Sequence, residues 1–394
     1  VDPVRVLAAR PQVRKVFGDA WVLMDRIHDA NDSGEILFRY LRDHRPEVNA
    51  WFVLEKDTPD WKRLKDDGYG ARLVAHGSLR WKLLMINAGH LISSHIDKPV
   101  QEPPAVMAHL PVPRWRFTFL QHGVIKDDLS RWLNPKRIDV FVTSTPGEYE
   151  SIAGEGSPYV FTDKETVLAG LPRFDRLHEK AKQFGGDGCD LILVAPTWRN
   201  WLVPPLKPGS QRRVIDRHFF ETDYAKAWTA FLSSPELAEL AARTGRRVAF
   251  LPHPNIQPVL AKMDLPDHVL PLSFDGADVQ EYFARAAVLV TDYSSMAFNT
   301  AYMDRPVVYF QFDEARVMAG GHVGRAGYFQ YRRDGFGPVV AEAGDAVAAV
   351  VEIAEHGYAA TPEYQARIEA TFPMRDGRCC ERVTAAIEAL DRPA

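Results

Sequence analysis

Short apolar runs that end in polar residues recur along the chain, and stretches with helical periodicity separate them. The clearest example is a β-branched run at 287–290, a helix-like segment at 296–303 and a second apolar run at 307–310. This order is typical of a strand, a turn, a helix and a second strand, which together form one βαβ unit. The first run ends in hydroxyl and carboxylate side chains: Thr291, Asp292, Ser294 and Ser295.

These polar residues lie where a parallel strand would end and a helix would begin. The first N–H groups of a helix have no intrahelical partner, and the helix dipole favours an anion there. Ser294 and Ser295 would add hydroxyl donors. The turn therefore predicts a phosphate-binding site, although Asp292 or Ser294 could equally be only a helix N-cap.

The same alternation predicts two α/β halves, with helix-like segments that include 84–91, 219–240 and a helix opened by Thr145. Strand-like runs occupy, in the first half, 20–25, 51–54, 92–95, 117–123, 139–144 and 167–170, and in the second, 191–199, 247–254 and the βαβ unit above. Strands that alternate with helices imply parallel sheets of Rossmann type, whose ligands bind at the carboxyl ends of the strands. Two such domains facing each other would form a cleft for a nucleotide and an acceptor. A Gly-rich linker at 185–188 sets the domain limits at 1–184 and 185–374.

Composition narrows the class of protein. The length of 394 residues is consistent with two domains. A net charge of −4 argues against a protein whose whole surface binds nucleic acid. No apolar run reaches the roughly 18–20 residues that a membrane span needs. Three cysteines, Cys189, Cys379 and Cys380, fit buried packing residues in a reducing, cytosolic compartment. The chain begins at Val1 without a signal-peptide pattern, which suggests an excised domain.

Two histidines stand at strand ends, one in each half. His122 could take a proton from an attacking hydroxyl, and Gly123 would let a substrate approach the backbone. His253, held before Pro254, could stabilise charge on a leaving phosphate. Each residue alone could equally be a structural histidine of a strand end or turn.

Other polar residues at strand ends are weaker candidates. Thr197 and Arg199 follow a strand, and Arg199 could bind a diphosphate with its forked guanidinium. Arg212 and Arg213 could contact an anionic acceptor or simply form a solvated loop. Arg173 could contact substrate or form an inter-domain ion pair with Asp175. Asn31 and Asp32 could bind substrate, or either could be only a helix cap. The sequence contains no Walker A, GxGxxG, GxSxG, HExxH or kinase signature.

The full set of motifs resembles the CDP-glycerol glycerophosphotransferase family, which includes teichoic-acid polymerases and primases and polyol-phosphate capsule polymerases. The shared segments occur in family order over nearly the whole chain: Trp21, 31–34, 121–123, 170–175, 195–199, 253–254, 291–295 and 376–377. The resemblance implies a GT-B-like fold with its active site between two Rossmann-like domains. It also implies that the last helix, within 375–394, crosses back to the first domain.

The resemblance assigns roles to the site residues. His122 would be the general base, His253 would stabilise the leaving CDP phosphates, and Ser294 and Ser295 would bind the diphosphate. An acceptor hydroxyl would attack the β-phosphorus of CDP-glycerol or CDP-ribitol and release CMP, without a metal or cofactor. The acceptor would be a polyol-phosphate chain or a saccharide, either lipid-linked or soluble. The chain would act in the cytoplasm, at the inner face of the plasma membrane, although it lacks the polymerases' N-terminal membrane-associating region.

Two alternatives remain open at this point. A GT-B glycosyltransferase that uses a nucleotide sugar would share the fold and the diphosphate site, but it would release a nucleoside diphosphate instead of CMP. A non-catalytic module that binds a nucleotide or polyanion within a larger protein is the other alternative.

Overall fold

The computed structural model describes residues 2–203, 218–260, 262–275, 277–321 and 325–393. The chain forms two compact α/β units. Unit 1 comprises Val1–Val124, Ser130–Arg176 and Asp376–Ala394, and unit 2 comprises Ile125–Leu129 and Leu177–Arg375. Arg212 and Arg213, expected in a basic loop, lie outside the described residues.

The limits of the units differ from the domain limits that the sequence suggested. The boundary falls after Arg176, inside the continuous helix Pro172–Gln183, and not at residue 185. The interior of this helix contains neither glycine nor proline, so nothing local ends it at the boundary. Ile125–Leu129 belongs to unit 2, where Asp128 lies 3.2 Å from Arg325. The chain returns to unit 1 at Asp376.

Each unit contains one parallel sheet. The seven strands of unit 1 are β1 (Ala20–Met24), β2 (Ala50–Leu54), β3 (Leu73–Ala75), β4 (Ala88–Ser93), β5 (Arg116–Phe119), β6 (Val140–Thr143) and β7 (Thr166–Leu168). The six strands of unit 2 are β8 (Leu191–Val194), β9 (Arg247–Phe250), β10 (Val269–Pro271), β11 (Ala286–Thr291), β12 (Val307–Phe310) and β13 (Val339–Val340).

The strand orders are β3-β2-β1-β4-β5-β6-β7 and β10-β9-β8-β11-β12-β13. In both sheets the order reverses beside the first strand, between β1 and β4 in unit 1 and between β8 and β11 in unit 2. Both units therefore have the doubly wound, Rossmann-like arrangement, in which ligands bind at the carboxyl ends of the strands beside this reversal.

The helices flank these strands. They are α1 (Pro3–Ala8), α2 (Pro11–Phe17), α3 (Ser33–His44), α4 (Pro59–Leu64), α5 (Leu79–Asn87), α6 (Lys98–Gln101), α7 (Pro104–Met107), α8 (Ser130–Leu133), α9 (Pro146–Ala153), α10 (Pro172–Gln183), α11 (Asp223–Leu232), α12 (Pro235–Thr244), α13 (Gln257–Leu260), α14 (Val279–Arg285), α15 (Met296–Tyr302), α16 (Glu314–Arg316), α17 (Tyr331–Asp334), α18 (Ala343–Glu355), α19 (Pro362–Thr371) and α20 (Cys379–Ala389). Short 3-10 or π turns occupy Lys65–Tyr69, Gly70–Arg72, Gly186–Gly188, Phe219–Glu221, Pro254–Ile256 and Val317–Gly321.

Two segments differ from the elements that the apolar pattern indicated. The helix expected at 84–91 ends at Asn87, because the run from Ala88 pairs with β1 and β5 as strand β4. The helix expected at 219–240 consists of α11 and α12, because Ser234 caps a new helix whose first residue is Pro235. Short apolar runs of this kind do not distinguish strand from buried helix.

Central strands of both sheets are buried along their whole length, as parallel strands covered on both faces should be. In unit 2, Trp228 of α11 is 1% exposed, and its ring packs 5.1 Å from that of Phe310 in β12. Removing such an aromatic side chain from water contributes about 1.5–3 kcal/mol. In the described part of the chain, no helix combines the length and the apolarity that crossing a bilayer requires.

Candidate active site

Unit 1 gathers polar residues after three neighbouring strands: β1, β4 and β5. The segment after β1 contains Asp25 and Asp32, β4 is followed by Ser94 and His95, and β5 leads to His122. Because the carboxyl ends of parallel strands meet at one edge of a sheet, these side chains come together at the point where the strand order reverses.

Asp25 organises the start of helix α3. Its carboxylate accepts hydrogen bonds from the backbone N–H groups of Asp32 (3.1 Å), Gly34 (2.8 Å) and Glu35 (3.1 Å). The Ser94 hydroxyl donates a further bond at 2.7 Å. Burial, together with the nearby charge of Asp32, raises the pKa of Asp25 to about 7. Asp25 is thus a structural cap that fixes the backbone of Asp32.

His122 and Asp32 form a hydrogen-bonded pair. Nδ1 of His122 lies 2.7 Å from Oδ2 of Asp32, and the side chains are 61% and 10% exposed. A carboxylate can only accept, so His122 donates its Nδ1 hydrogen and keeps the lone pair on Nε2. Asp32 is also the N-cap of α3, where it accepts from Ser33 N. The structure therefore makes Asp32 both a cap and the partner of an exposed imidazole.

Asp32 stays ionised next to this histidine. Burial alone would raise the pKa of Asp32, but Arg173 and His122 outweigh burial and lower it to about 2. Nη1 of Arg173 lies 3.4 Å from Oδ1 of Asp32. Arg173 and Asp175 both belong to unit 1, so an ion pair between them would not join the two units, contrary to that alternative. Asp175 instead accepts from the backbone N–H groups of Cys379 and Cys380 at 2.8 Å each.

The residues before Asp32 and His122 both have left-handed backbones: φ is 71° at Asn31 and 69° at Gln121. Side chains other than glycine adopt this conformation only at a cost, and functional sites concentrate it. Gln121 is held by hydrogen bonds from Nε2 to Val142 O (2.9 Å) and to Glu148 Oε2 (3.2 Å). Gly123 follows His122 and is half-buried.

Asn31, predicted as a substrate ligand, has protein partners. Its backbone N–H donates to Glu35 Oε2 at 2.6 Å, and its side-chain Oδ1 accepts from Nη1 of Arg176 at 2.5 Å. These contacts give Asn31 a structural role beside the His122–Asp32 pair. A direct contact of Asn31 with substrate stays a prediction.

His95 is a neighbour of this pair that the sequence reading did not select. Its ring lies 4.8 Å from the ring of His122, tilted by 42°. Asp32, His95 and His122 offer possible metal-ligand atoms within 4.8 Å of one another. Two of these residues, however, already contact guanidinium groups: Arg26 Nε donates to His95 Nε2 at 2.9 Å, and Arg173 contacts Asp32. This cationic surrounding suits a hydrogen-bonded network better than a cation site.

Unit 2 also has polar residues after three neighbouring strands: β9, β8 and β11. His253 follows β9, Thr197 follows β8, and Ser294 follows β11. The sheet order therefore brings the predicted residues of this half to one edge, beside the reversal between β8 and β11.

Arg199 is a structural residue, and the prediction that it binds a diphosphate is wrong. Its side chain is 0% exposed and pairs with Asp292 (2.9 Å) and with Asp313 (2.7 Å). The aromatic rings of Tyr224 and Tyr293 cover the guanidinium at 5.1 and 5.0 Å. Burial lowers the pKa of Arg199, but the two carboxylates outweigh this effect and raise it overall. The donors of Arg199 are thus directed to the protein.

Asp292 and Thr291 are likewise turned into the protein and are not available to a substrate. Both are 0% exposed. Asp292 accepts from Thr197 N at 2.9 Å and from Tyr293 N at 2.7 Å, and the Thr291 hydroxyl donates to Ala195 O at 2.8 Å. Asp292 therefore joins the ends of β8 and β11. Thr197 remains half-buried at this junction.

Ser294 and Ser295 are the accessible part of the turn. Both are half-buried, and Ser295 is the N-cap residue of α15. The Ser294 hydroxyl accepts from Met296 N at 3.2 Å. Within the described ranges, the backbone N–H groups of Ser294 and Ser295 donate to no protein acceptor. The Ser294 hydroxyl thus accepts from the first turn of α15 as a cap would. The turn also presents N–H donors that suit an anion, and phosphate binding there stays a prediction.

His253 has a defined tautomer. Its Nδ1 accepts from the backbone N–H of Asn255 at 3.1 Å, so a neutral His253 carries its hydrogen on Nε2. The imidazole is half-buried, and the Trp198 ring lies 6.0 Å away. Pro254 begins the 3-10 turn that supplies this contact. His253 can thus act as a hydrogen-bond donor.

Comparisons with known proteins identify the family of this chain. The family model described as CDP-glycerol:poly(glycerophosphate) glycerophosphotransferase matches residues 8–389. The minor teichoic acid biosynthesis protein GgaB of Bacillus subtilis (strain 168) is 29% identical over 375 residues, which are 94% of this chain and 40% of that protein. The teichoic acid poly(glycerol phosphate) polymerase of the same organism is 22% identical over 379 residues, which are 88% of this chain and 45% of that protein.

The fold is similar to that of a solved structure. The wall teichoic acid polymerase TagF superposes with a TM-score of 0.64 at 16% identity, over 98% of this chain and 93% of that one. The expected α/β, GT-B-like fold of two Rossmann-like units is therefore confirmed. The chain spans less than half the length of the two curated relatives it matches. Because the family model covers nearly the whole chain, this protein belongs to the CDP-glycerol:poly(glycerophosphate) glycerophosphotransferase family.

Proposed function

We propose that this chain transfers a polyol phosphate from a CDP-polyol to an acceptor hydroxyl and releases CMP, in the synthesis of a teichoic-acid-like or capsule polymer. Membership of the family supports the reaction class. The names of the two relatives, a minor teichoic acid biosynthesis protein and a poly(glycerol phosphate) polymerase, support the kind of product.

The observation that carries the proposal is the pair of His122 and Asp32, joined at 2.7 Å with the imidazole 61% exposed. The carboxylate of Asp32 accepts the hydrogen bond from Nδ1–H of His122. Nε2 is therefore the atom that takes the proton of the acceptor hydroxyl. The acceptor oxygen forms a bond to the β-phosphorus, and the bond from this phosphorus to the CMP oxygen breaks. The imidazolium that results is stabilised by the carboxylate of Asp32.

Residues of unit 2 would meet the charge of the diphosphate. The N–H groups and hydroxyls of Ser294 and Ser295 donate to phosphate oxygens, and His253 donates from Nε2 as negative charge develops on the leaving CMP. Arg199 and Asp292 stabilise the turn that carries these serines, because their ion pair at 2.9 Å joins the segments that follow β8 and β11.

The proposal also specifies the donor, the acceptor, the cofactor requirement and the location of the reaction. The donor is CDP-glycerol or CDP-ribitol, and the acceptor is a polyol-phosphate chain or a saccharide, either lipid-linked or soluble. The reaction needs no metal or cofactor, because hydrogen-bond donors stabilise the negative charge of the diphosphate. The chain acts on the cytoplasmic side of the plasma membrane.

The central experiment measures CMP release with CDP-glycerol and with CDP-ribitol, each with candidate acceptors. We expect His122→Ala to lower turnover by roughly 100- to 10,000-fold, the usual contribution of a general base. Asp32→Asn should lower it by roughly 100-fold or more, because the amide would favour the wrong tautomer. Binding of the CDP-polyol, measured by calorimetry, should change little in both variants.

The matched control is Asp66→Asn, which makes the same chemical change at an exposed residue of the same unit. Its turnover should equal that of the wild type. Normal turnover in His122→Ala would remove His122 from the mechanism. Release of a nucleoside diphosphate from a nucleotide sugar, with no CMP from either CDP-polyol, would instead establish a glycosyltransferase.

A further inference from the structure

His95 occupies a position set by the sheet order. It follows β4, which lies between β1 and β5, so it is placed between the segments that carry Asp32 and His122. Its backbone N–H donates to Ser93 Oγ at 3.0 Å, and its ring packs on that of His122 with centroids 4.8 Å apart. The imidazole of His122 is therefore held from one side by a carboxylate and from another by a second imidazole.

The tautomer of His95 follows from its partners. Arg26 Nε can only donate, so Nε2 of His95, at 2.9 Å, must accept. A neutral His95 therefore carries its hydrogen on Nδ1, which lies 2.9 Å from Ser94 Oγ. The Ser94 hydroxyl in turn donates to Asp25 at 2.7 Å. The hydrogen-bonded series Arg26–His95–Ser94–Asp25 thus determines which atom donates in each of its three hydrogen bonds.

The charges around His95 keep it neutral. Burial lowers the pKa of His95 most, the cations His122, Arg26 and Arg173 lower it further, and Asp32 raises it. The resulting pKa is about 3. His122, by contrast, is exposed and donates a hydrogen bond to the carboxylate of Asp32.

We propose that His95 is a positioning residue that holds the His122 ring in its Asp32-bonded orientation and stays uncharged itself, so that only His122 exchanges a proton with substrate. The inference rests on the proposed function of His122 as the base. A neutral ring supports His122 by contact without repelling the imidazolium that forms during transfer. Two equivalent imidazoles at this distance would compete for one proton.

Imidazole ¹⁵N spectra of the full chain test the tautomers without any substrate. Between about pH 5 and about pH 8, where free histidine titrates, His95 should remain neutral with its hydrogen on Nδ1. Unprotonated His122 should also carry its hydrogen on Nδ1. In Arg26→Ala, His95 should become protonated at higher pH than in the wild type. A His95 that becomes protonated between about pH 5 and about pH 8 in the wild type would overturn the inference.

Kinetics test the positioning role. We expect His95→Ala to lower kcat by roughly 10- to 100-fold, because loss of orientation has that effect, while KM for the CDP-polyol stays within about twofold. The Nδ1–H signal of His122 should weaken or broaden in the same variant. His95→Phe, which keeps a ring at this position, should recover part of the lost kcat.

The matched control is His44→Ala, which removes an exposed histidine from the end of α3 in the same unit. It should leave kcat, KM and the His122 spectrum unchanged. A His95→Ala variant with the same kcat and His122 spectrum as this control would overturn the positioning role. Failure of the wild type to release CMP would overturn the proposed function instead, and the spectra would still decide the tautomers.

Discussion

The charged residues at the strand ends of unit 1 and unit 2 differ in their partners, and the solvent exposure of their side chains distinguishes the two sets. Arg199 and Asp292 are fully buried and satisfy each other, whereas His122 pairs with buried Asp32 and still leaves its ring 61% exposed. Buried charges must be paired because desolvation is costly, so a fully buried ion pair is evidence of structure and not of ligand binding. The sequence placed all four residues at strand ends but could not distinguish these roles.

The lowered pKa of Asp32 predicts a pH dependence of stability. Its folded-state value of about 2 lies below the ordinary 3.8, so the carboxylate stabilises the fold above about pH 4. This contribution, about 2 kcal/mol, is lost as the pH falls from 4 towards 2. Urea unfolding should show Asp32→Asn to be less stable than the wild type at pH 7. The gap should narrow steadily below pH 4, and a gap that is constant with pH would contradict the pKa shift.

Replacing Arg199 should lower the free energy of unfolding and should not remove a contact with substrate. Arg199→Ala leaves Asp292 and Asp313 without their partner, and loss of one member of a buried pair costs about 3–5 kcal/mol. Arg332→Ala removes an exposed pair with Glu314 at 2.7 Å and should cost less than about 1 kcal/mol. Thermal unfolding measures both. A stable Arg199→Ala protein with weakened CDP-polyol binding would restore Arg199 as a ligand.

Helices and strands were predictable where their pattern was long or their caps were explicit. The βαβ unit of β11, α15 and β12 formed as its apolar runs indicated. Thr145 caps α9 through Glu148 N at 3.1 Å, as its sequence predicted. Residues 88–91 were assigned wrongly to a helix, because their strand character comes from pairing with distant β1 and β5.

The start of α3 is sterically tight, and it should tolerate no side chain at Gly34. A Cβ there would lie 2.3 Å from Met24 O and 2.6 Å from Asp25 Oδ1. Gly34→Ala should therefore displace the cap that fixes Asp32, lower stability by about 1–3 kcal/mol and reduce CMP release. Gly344→Ala, in α18 with open space around the new carbon, should stabilise the protein by about 0.5–1 kcal/mol. Equal melting temperatures in the two variants would refute the steric argument.

The return of the chain at Asp376 links its last residues to unit 1. Asp175 caps α20 through Cys379 N and Cys380 N, and Arg382 Nε donates to Ala169 O at 2.9 Å. A crossing helix of this kind was implied by family resemblance and not by the local pattern. Its contacts show that residues far apart in sequence complete one folding unit.

Loss of the α20 cap should weaken unit 1 selectively. Asp175→Ala removes the acceptor of two helix N–H groups, and we expect a loss of about 1–2 kcal/mol. Hydrogen exchange should accelerate in α20 and in the contacting strand β6, while β11 in unit 2 stays protected. The exposed Asp187→Ala is the control and should leave both regions unchanged. Faster exchange in β11 alone would show that Asp175 stabilises unit 2 instead of unit 1, and it would contradict the prediction.

Local patterns of this sequence were sufficient for the α/β class, most strand positions and the polar residues that follow the strands, because periodicity and capping depend on neighbouring residues. The partners of those polar residues were not predictable. Asp32 and His122 are 90 positions apart, and Arg199 and Asp292 are 93 positions apart. Their contacts exist because each sheet reverses its strand order beside β1 or β8. Strand order is set by long-range packing, and the local sequence therefore could not show that Arg199 is fully buried in ion pairs whereas His122 stays exposed beside Asp32.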